Sequence, residues 1–241
     1  MTAPCKARGW CAVLALICVP AMAATVEVGN QNGWSASASG PAVAVMHLDG
    51  CQFSLPLAEQ QFLTFVTPHA LFIEAKRGDR ARNRPYLWQA QTNSGYAWSF
   101  RKPGARQDKW FGLMCDSPEY FSFQGPYTPD PAQEYNPAIE SLRQDSEHKC
   151  PATLTGHGWV PSPQAGPANS YVFKPLQGAN WSGFIFGFRN PGRDSFGRVS
   201  FCLVHGDNVL LGAAENDPQP LELSPRTLAE ITAIVSSITF P

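Results

Sequence analysis

Arg198-Val199-Ser200-Phe201-Cys202-Leu203-Val204-His205-Gly206-Asp207-Asn208-Val209-Leu210-Leu211-Gly212-Ala213-Ala214 reads as two strands joined by one turn. Val199, Phe201 and Leu203 alternate with Ser200 and Cys202, the two-residue period of a β-strand. His205-Gly206-Asp207-Asn208 supplies the turn, because Gly and Asn tolerate positive φ. Val209, Leu211 and Ala213 run back with Leu210 also apolar, so this strand is expected to be covered on both faces. Ser224-Pro225 then offers an N-cap and a proline at the first helical position. Leu228, Ile231, Ile234, Val235 and Ile238 fall on one face of that helix, which is expected to pack on a sheet. Ile238-Thr239-Phe240 are β-formers and are expected to close the chain as a short last strand. Such a segment specifies a core and carries no chemistry.

At the other end, Lys6 and Arg8 precede an apolar run from Trp10 to Val19, broken by Pro20 and followed by Ala21-Met22-Ala23. Basic residues, a short apolar run and a small-x-small site are the parts of a secretory signal peptide, with cleavage expected after Ala23. The run is shorter than the about 20 apolar residues a membrane span needs. Without residues 1–23 the 241-residue chain keeps 218 residues, expected to form one α+β domain over 24–241 with a candidate sub-boundary at 125–131. Loss of Lys6 and Arg8 leaves 16 basic against 19 acidic residues, a net charge of −3, which argues against a dedicated nucleic-acid binder. No later run is apolar enough to span a bilayer, so a periplasmic or secreted protein is expected.

Cys5, Cys11 and Cys18 fall within the leader, leaving Cys51, Cys115, Cys150 and Cys202. An even set in an exported chain is expected to form two disulfides, with three connectivities open. His148-Lys149-Cys150 with His157 matches no familiar ligand spacing, so neither metal nor cofactor is expected.

Between the ends lie many short strand patterns. Thr25–Val28 reads as a strand, and Ala42–Leu48 with Cys51–Leu55 as a hairpin around Asp49-Gly50. Leu57–Phe65 is expected to be a short helix, Leu71–Ala75 a strand, and Tyr86–Gln91 with Tyr96–Phe100 a second hairpin. Trp110–Cys115, Tyr120–Gln124, Tyr171–Lys174 and Phe184–Phe188 read as further strands. Asn136-Pro137 opens a charged helix to about Glu147, and Pro161–Pro167 reads as a loop. Runs of strands followed by a terminal helix point to an α+β fold with a mostly antiparallel sheet and two or three helices.

The order of hairpin Arg198–Ala214, helix Ser224–Ser237 and segment Ile238–Phe240, with Leu228, Ile231, Val235, Ser237, Ile238 and Phe240 in register, resembles the C-terminal end of PsbP-like α+β sandwich domains. The resemblance covers residues 198–241 and implies an antiparallel sheet flanked by helices, used to bind partner proteins. Exported members of such small α+β groups include inhibitors and immunity proteins. The four cysteines and the aromatic middle depart from that pattern, so fold and class are carried over and no binding residue is.

No G-x-S-x-G, H-E-x-x-H or P-loop occurs. Ser99-Phe100-Arg101-Lys102 matches S-x-x-K by letter, but no K-[ST]-G triplet accompanies it. His205 with Asp207, and Ser195 or Ser200 as nucleophile, can be drawn as a triad, and a polar turn explains the same residues. Arg77-Gly78-Asp79 and the sequon Asn180-Trp181-Ser182 decide nothing. The suggestive combination is a basic loop beside an aromatic hairpin: Arg82 and Arg84 lead into Trp88, while Trp98 leads into Arg101. Arg and aromatic residues dominate the energetics of protein interfaces. Arg82, Arg84, Trp88, Trp98 and Arg101 are therefore the expected binding residues of a non-catalytic protein with a protein partner in the envelope. An envelope glycan stacked on Trp faces is the alternative ligand, and a hydrolase assembled from distant residues ranks below both.

Overall fold

The computed structural model describes residues 23–29, 36–76, 83–92, 95–104, 106–125, 136–216 and 219–241. Residues 1–22 of the expected leader, Arg77-Gly78-Asp79, Arg82 and residues 126–131 of the candidate boundary lie outside them. In chain order the first strands are β1 (Ala24–Gly29), β2 (Ser37–Ser39), β3 (Ala42–Leu48), β4 (Cys51–Leu57), β5 (Gln61–Val66) and β6 (His69–Glu74). The middle holds β7 (Tyr86–Thr92), β8 (Gly95–Arg101), β9 (Trp110–Asp116) and helix α1 (Pro137–Lys149). The last part holds β10 (Ala152–Thr155), β11 (Gly158–Pro161), β12 (Tyr171–Gln177), β13 (Ser182–Arg189), β14 (Phe196–His205), β15 (Asn208–Glu215) and α2 (Pro225–Ser236). The fold is α+β and mostly antiparallel, as expected.

Eight strands form the main sheet in the order β12-β13-β14-β15-β9-β6-β5-β2. A second sheet has the order β1-β3-β4, with β1 parallel to β3, and β7–β8 and β10–β11 are separate hairpins. Register decides which residues share a face of the main sheet. Phe72 opposes Phe111, and Phe201 opposes Gly212, which opposes Leu113. These define an inner face, on which Phe72 stacks on Phe111 at 4.6 Å and Phe111 meets Phe201 edge-on at 5.2 Å. Gly212 is the seat of the Phe201 ring, for a Cβ there would stand 1.9 Å from it. Met46, Leu48, Phe53 and Leu55 of the small sheet and Leu228, Ile231 and Val235 of α2 close this face. Ser224 caps α2 as its sequence indicates, its side chain accepting from the Thr227 N–H.

The outer face is covered by two hairpins and α1. Phe100 of β8 lies over Gly112, where a Cβ would stand 2.1 Å from the ring. Further along, Phe123 and Trp159 meet edge-on at 5.0 Å and pack on Phe184 and Phe186. With both faces covered, Val199–Leu203 and Val209–Ala214 are buried without a break. The disulfides are Cys51–Cys115 and Cys150–Cys202, with Cα atoms 5.6 and 6.0 Å apart. The first ties the small sheet to the inner face through β9, and the second ties the end of α1 to β14.

Three expectations need correction. Leu57–Phe65 is no helix: Leu57 ends β4, the chain turns at Gln60 with φ 68°, and β5 follows. The run is apolar because Leu63 and Phe65 face the inner side and Phe62 the outer, so two-sided burial imitates a helical mixture. Tyr120–Gln124 is a 3-10 turn at Pro118–Tyr120 followed by bends; its alternation serves Phe121 and Phe123, which stack on each other at 4.8 Å. Ile238–Phe240 forms a single bridge, Thr239 to Ser54, rather than a strand. The short strands β2, β10 and β11 carry too few apolar residues to stand out in sequence, and the loop Pro161–Pro167 holds a 3-10 turn at Pro163–Ala165.

Replacing Gly112 by Ala drives a methyl group into the Phe100 ring, and overpacking of this kind costs about 1–3 kcal/mol. Urea unfolding of Gly112→Ala is expected to show that loss. Gly156→Ala, where nothing lies within 4 Å, is expected to stay within about 0.5 kcal/mol of the parent.

Candidate functional site

The β7–β8 hairpin divides the predicted binding residues by its register. Trp88 opposes Ser99, Tyr86 opposes Arg101, and Trp98 opposes Gln89. Tyr86, Trp88 and Arg101 therefore share one side of the hairpin, while Trp98 and Phe100 share the other and face the main sheet. The Arg101 guanidinium lies 3.7 Å over the Trp88 ring, and its Nε donates to Ser99 Oγ at 2.8 Å. Trp98 is half-buried, edge-on to Phe100 at 5.5 Å, with Lys149 Nζ 4.9 Å above its ring. Trp88 and Arg101 meet; Trp98 belongs to the packing beneath them.

Arg84 stands exposed at the rim of a groove of about 320 Å³. The groove runs along the outer face of β5 and β6, between Thr64, Val66, Leu71 and Ile73 on one side and Arg84–Leu87 on the other. It exists because the hairpin seats Phe100 over β9 and leaves the β5 end of that face uncovered. Val66 and Tyr86 are consequently 43% and 44% exposed and stand beside the same groove. His69 lines the floor, almost fully buried, with its ring 5.5 Å from Phe100 and its Nδ1 without a hydrogen bond. Burial lowers its pKa, so the imidazole is neutral at pH 7. A groove of this kind offers apolar contact, one neutral imidazole below and one guanidinium at the edge.

A second polar group is more deeply buried. Lys149, 3% exposed, pairs with Glu215, and Arg198 donates to His148 Nε2 while its guanidinium covers the Phe188 ring at 3.8 Å. Burial lowers the pKa of both Lys149 and Arg198, and burial raises that of Asp145, whose Oδ2 has no hydrogen bond. His148 keeps a solvent-facing edge, yet desolvation around its ring, followed by the Arg198 and Lys149 charges, pushes its pKa down to about 4. These residues join the last turn of α1 to the ends of β14 and β15. The arrangement holds a helix in place.

The other candidates have structural partners. Ser99 accepts from Arg101, while Lys102 pairs with Asp108 at 2.6 Å, so the S-x-x-K residues do not act on each other. His205 Nδ1 meets the Asn180 carbonyl at 3.0 Å and its ring stacks on Phe240 at 4.7 Å. Ser195 accepts from Asn190 at 2.9 Å, and Ser200 is fully buried, so no hydrogen bond joins His205 to either serine. His47, for which the sequence offered no carboxylate, meets Glu27 at 2.7 Å across the parallel β1–β3 pair. Among the described residues no group of His, Cys, Asp and Glu could hold a metal ion. Comparison with known proteins matches no family model, no curated protein and no solved structure.

The buried pair and its neighbour give two expected outcomes. Glu215→Gln leaves Lys149 buried and uncompensated, a change that costs about 3–5 kcal/mol, read by urea unfolding. His148 is harder to protonate folded than unfolded, so its contribution is intact above pH 6.5 and is lost as pH falls toward about 4. The stability difference between the parent and His148→Gln is therefore expected to shift against the parent across that window. An unchanged difference from pH 7 to pH 4.5 would refute the assignment.

Proposed function

We infer that this chain is an exported, disulfide-stapled binding protein that docks a protein partner through the groove edged by Arg84 and Tyr86. The supporting observation is that groove itself: exposed Val66 and Tyr86 form an apolar anchor site with the Arg84 guanidinium at its edge. Interface energy concentrates where an aromatic or aliphatic anchor is desolvated and Arg is at hand. Lys76 and Arg84 flank the sequence segment that also carries Arg77, Arg80 and Arg82, so the matching partner surface is acidic around an apolar side chain. Trp88 and Arg101, stacked together, extend the same side of the hairpin.

Two disulfides suit an oxidising compartment, in line with export to the periplasm or beyond after cleavage near Ala23. An inhibitor or immunity role, and the PsbP-like class suggested by residues 198–241, belong to the same proposal. The glycan alternative draws less support from the tryptophans. Trp88 carries Arg101 on one face, Trp98 lies under Lys149, and Trp110, Trp159 and Trp181 are buried.

Crosslinking of the tagged mature chain in its native compartment, followed by mass spectrometry, is expected to return one stoichiometric protein partner. With that partner purified, Val66→Glu and the double variant Arg82→Glu/Arg84→Glu are each expected to weaken binding by at least about tenfold with the melting midpoint held. Binding that survives both variants would move the interface elsewhere, and a chain that crosslinks to nothing would end the protein-partner reading.

A further inference from the structure

The main sheet outruns its cover a second time, on the inner face at the β12 edge. The apolar stripe of α2, Leu228, Ile231 and Val235, turns toward β14 and the small sheet. Besides Leu228, α2 gives this groove only short side chains: Pro225, Ala229, Thr232, Ala233 and Ser236. Leu228 already occupies the space above Gly187, where a Cβ would stand 2.5 Å from its Cδ2. Val172, opposite Gly187 across the β12–β13 pair, is left 36% exposed. The result is an apolar groove of about 520 Å³, floored by Ile185 and Phe196. Ligand sites commonly have roughly 300–1,000 Å³.

The mouth of this groove is cationic. Lys174 and Arg189 stand there against one acid, Asp194. Arg189 and Asp194 are 3.8 Å apart, and Asp194 is 85% exposed, so the pair is loose and easily exchanged for a better anion. Lys174 is exposed and makes no ion pair among the described residues. Pro175, next along β12, has no N–H to give an added strand, and Lys174 beside it guards the same edge. A partner strand is thus disfavoured at the centre of β12, while the groove between strand and helix stays open from the side.

We propose that this groove binds a free single-chain anionic amphiphile of the fatty-acid class. The acyl chain lies between Val172 and the Ala229–Ala233 flank, and the carboxylate is held by Lys174 and Arg189. The site is on the opposite face of the sheet from the Arg84 groove and does not depend on the protein-partner reading.

Titration of the full mature chain with dodecanoate below its micellar concentration, followed by calorimetry, tests the idea. Saturable one-to-one binding is expected, reduced at least about tenfold in Ala233→Leu, which fills the groove from the helix side. Val172→Trp fills it from the strand side and serves if Ala233→Leu loses its cooperative melt. Lys174→Glu/Arg189→Glu is expected to weaken dodecanoate while leaving dodecan-1-ol unchanged. The proposal is overturned by absence of saturable binding, by filled variants that bind like the parent, or by dodecan-1-ol binding as tightly as the acid. Binding seen only with anionic phospholipid vesicles would also overturn it, since that is surface adsorption rather than occupancy of a groove.

Discussion

Along its middle the β14–β15 hairpin has no side that faces water, and every other layer follows from that. Val199–Leu203 and Val209–Ala214 are buried residue after residue, so apolar side chains leave both faces of the main sheet. The strands can lie there because their backbone groups are paired on both sides, with β13 and with β9. What remains is to cover two faces. The small sheet and α2 do this inside, and α1, the β7–β8 hairpin and the Phe121–Phe123–Trp159 cluster do it outside. Glycines at 112 and 212 let rings of Phe100 and Phe201 lie directly on the strands, which brings each cover close. One disulfide then fastens a cover to each face, closing sequence separations of 64 and 52 residues and restricting the unfolded chain accordingly.

The two helices are held by different forces. α2 presents a conventional apolar stripe, with an N-cap and proline start that suit it to the N-terminal end of a helix. The described inward residues of α1 include Ser141, Arg143, Ser146 and Lys149, all polar. It is fixed by the Lys149–Glu215 pair, by Lys149 over Trp98, and by the adjacent Cys150–Cys202 bridge. A buried pair of this sort adds little net stability compared with an apolar contact, although breaking it by removing one partner is costly.

Both grooves arise where a cover is shorter than the sheet beneath it. On the outer face the β7–β8 hairpin stops over β9, leaving the β5 side open beneath Arg84 and Tyr86. On the inner face the short side chains of α2 stop before β12. The floor of each opening is sheet, not loop. The first is floored by β5 and β6, and the second lies between β12–β14 and α2.

Local pattern alone determined a good part of this protein. The alternation in Val199–Leu203, the turns at Asp49-Gly50 and His205–Asn208, and the Ser224-Pro225 start with its apolar stripe each depend on neighbours a few residues away. Those elements formed where expected, and with them the α+β class and the disulfide pair count. A helix over Leu57–Phe65 and a strand over Tyr120–Gln124 did not form, because burial from two sides, or by ring stacking, erases the simple periods that mark helix and strand. The sequence also grouped Trp88 with Trp98, which cross-strand register places on opposite sides of one hairpin. The pairing of Cys51 with Cys115, the burial of His69, the Lys149–Glu215 contact and both grooves were decided only in tertiary structure. Each depends on which distant residue arrives opposite, and on how far a covering element extends, and no local period records either.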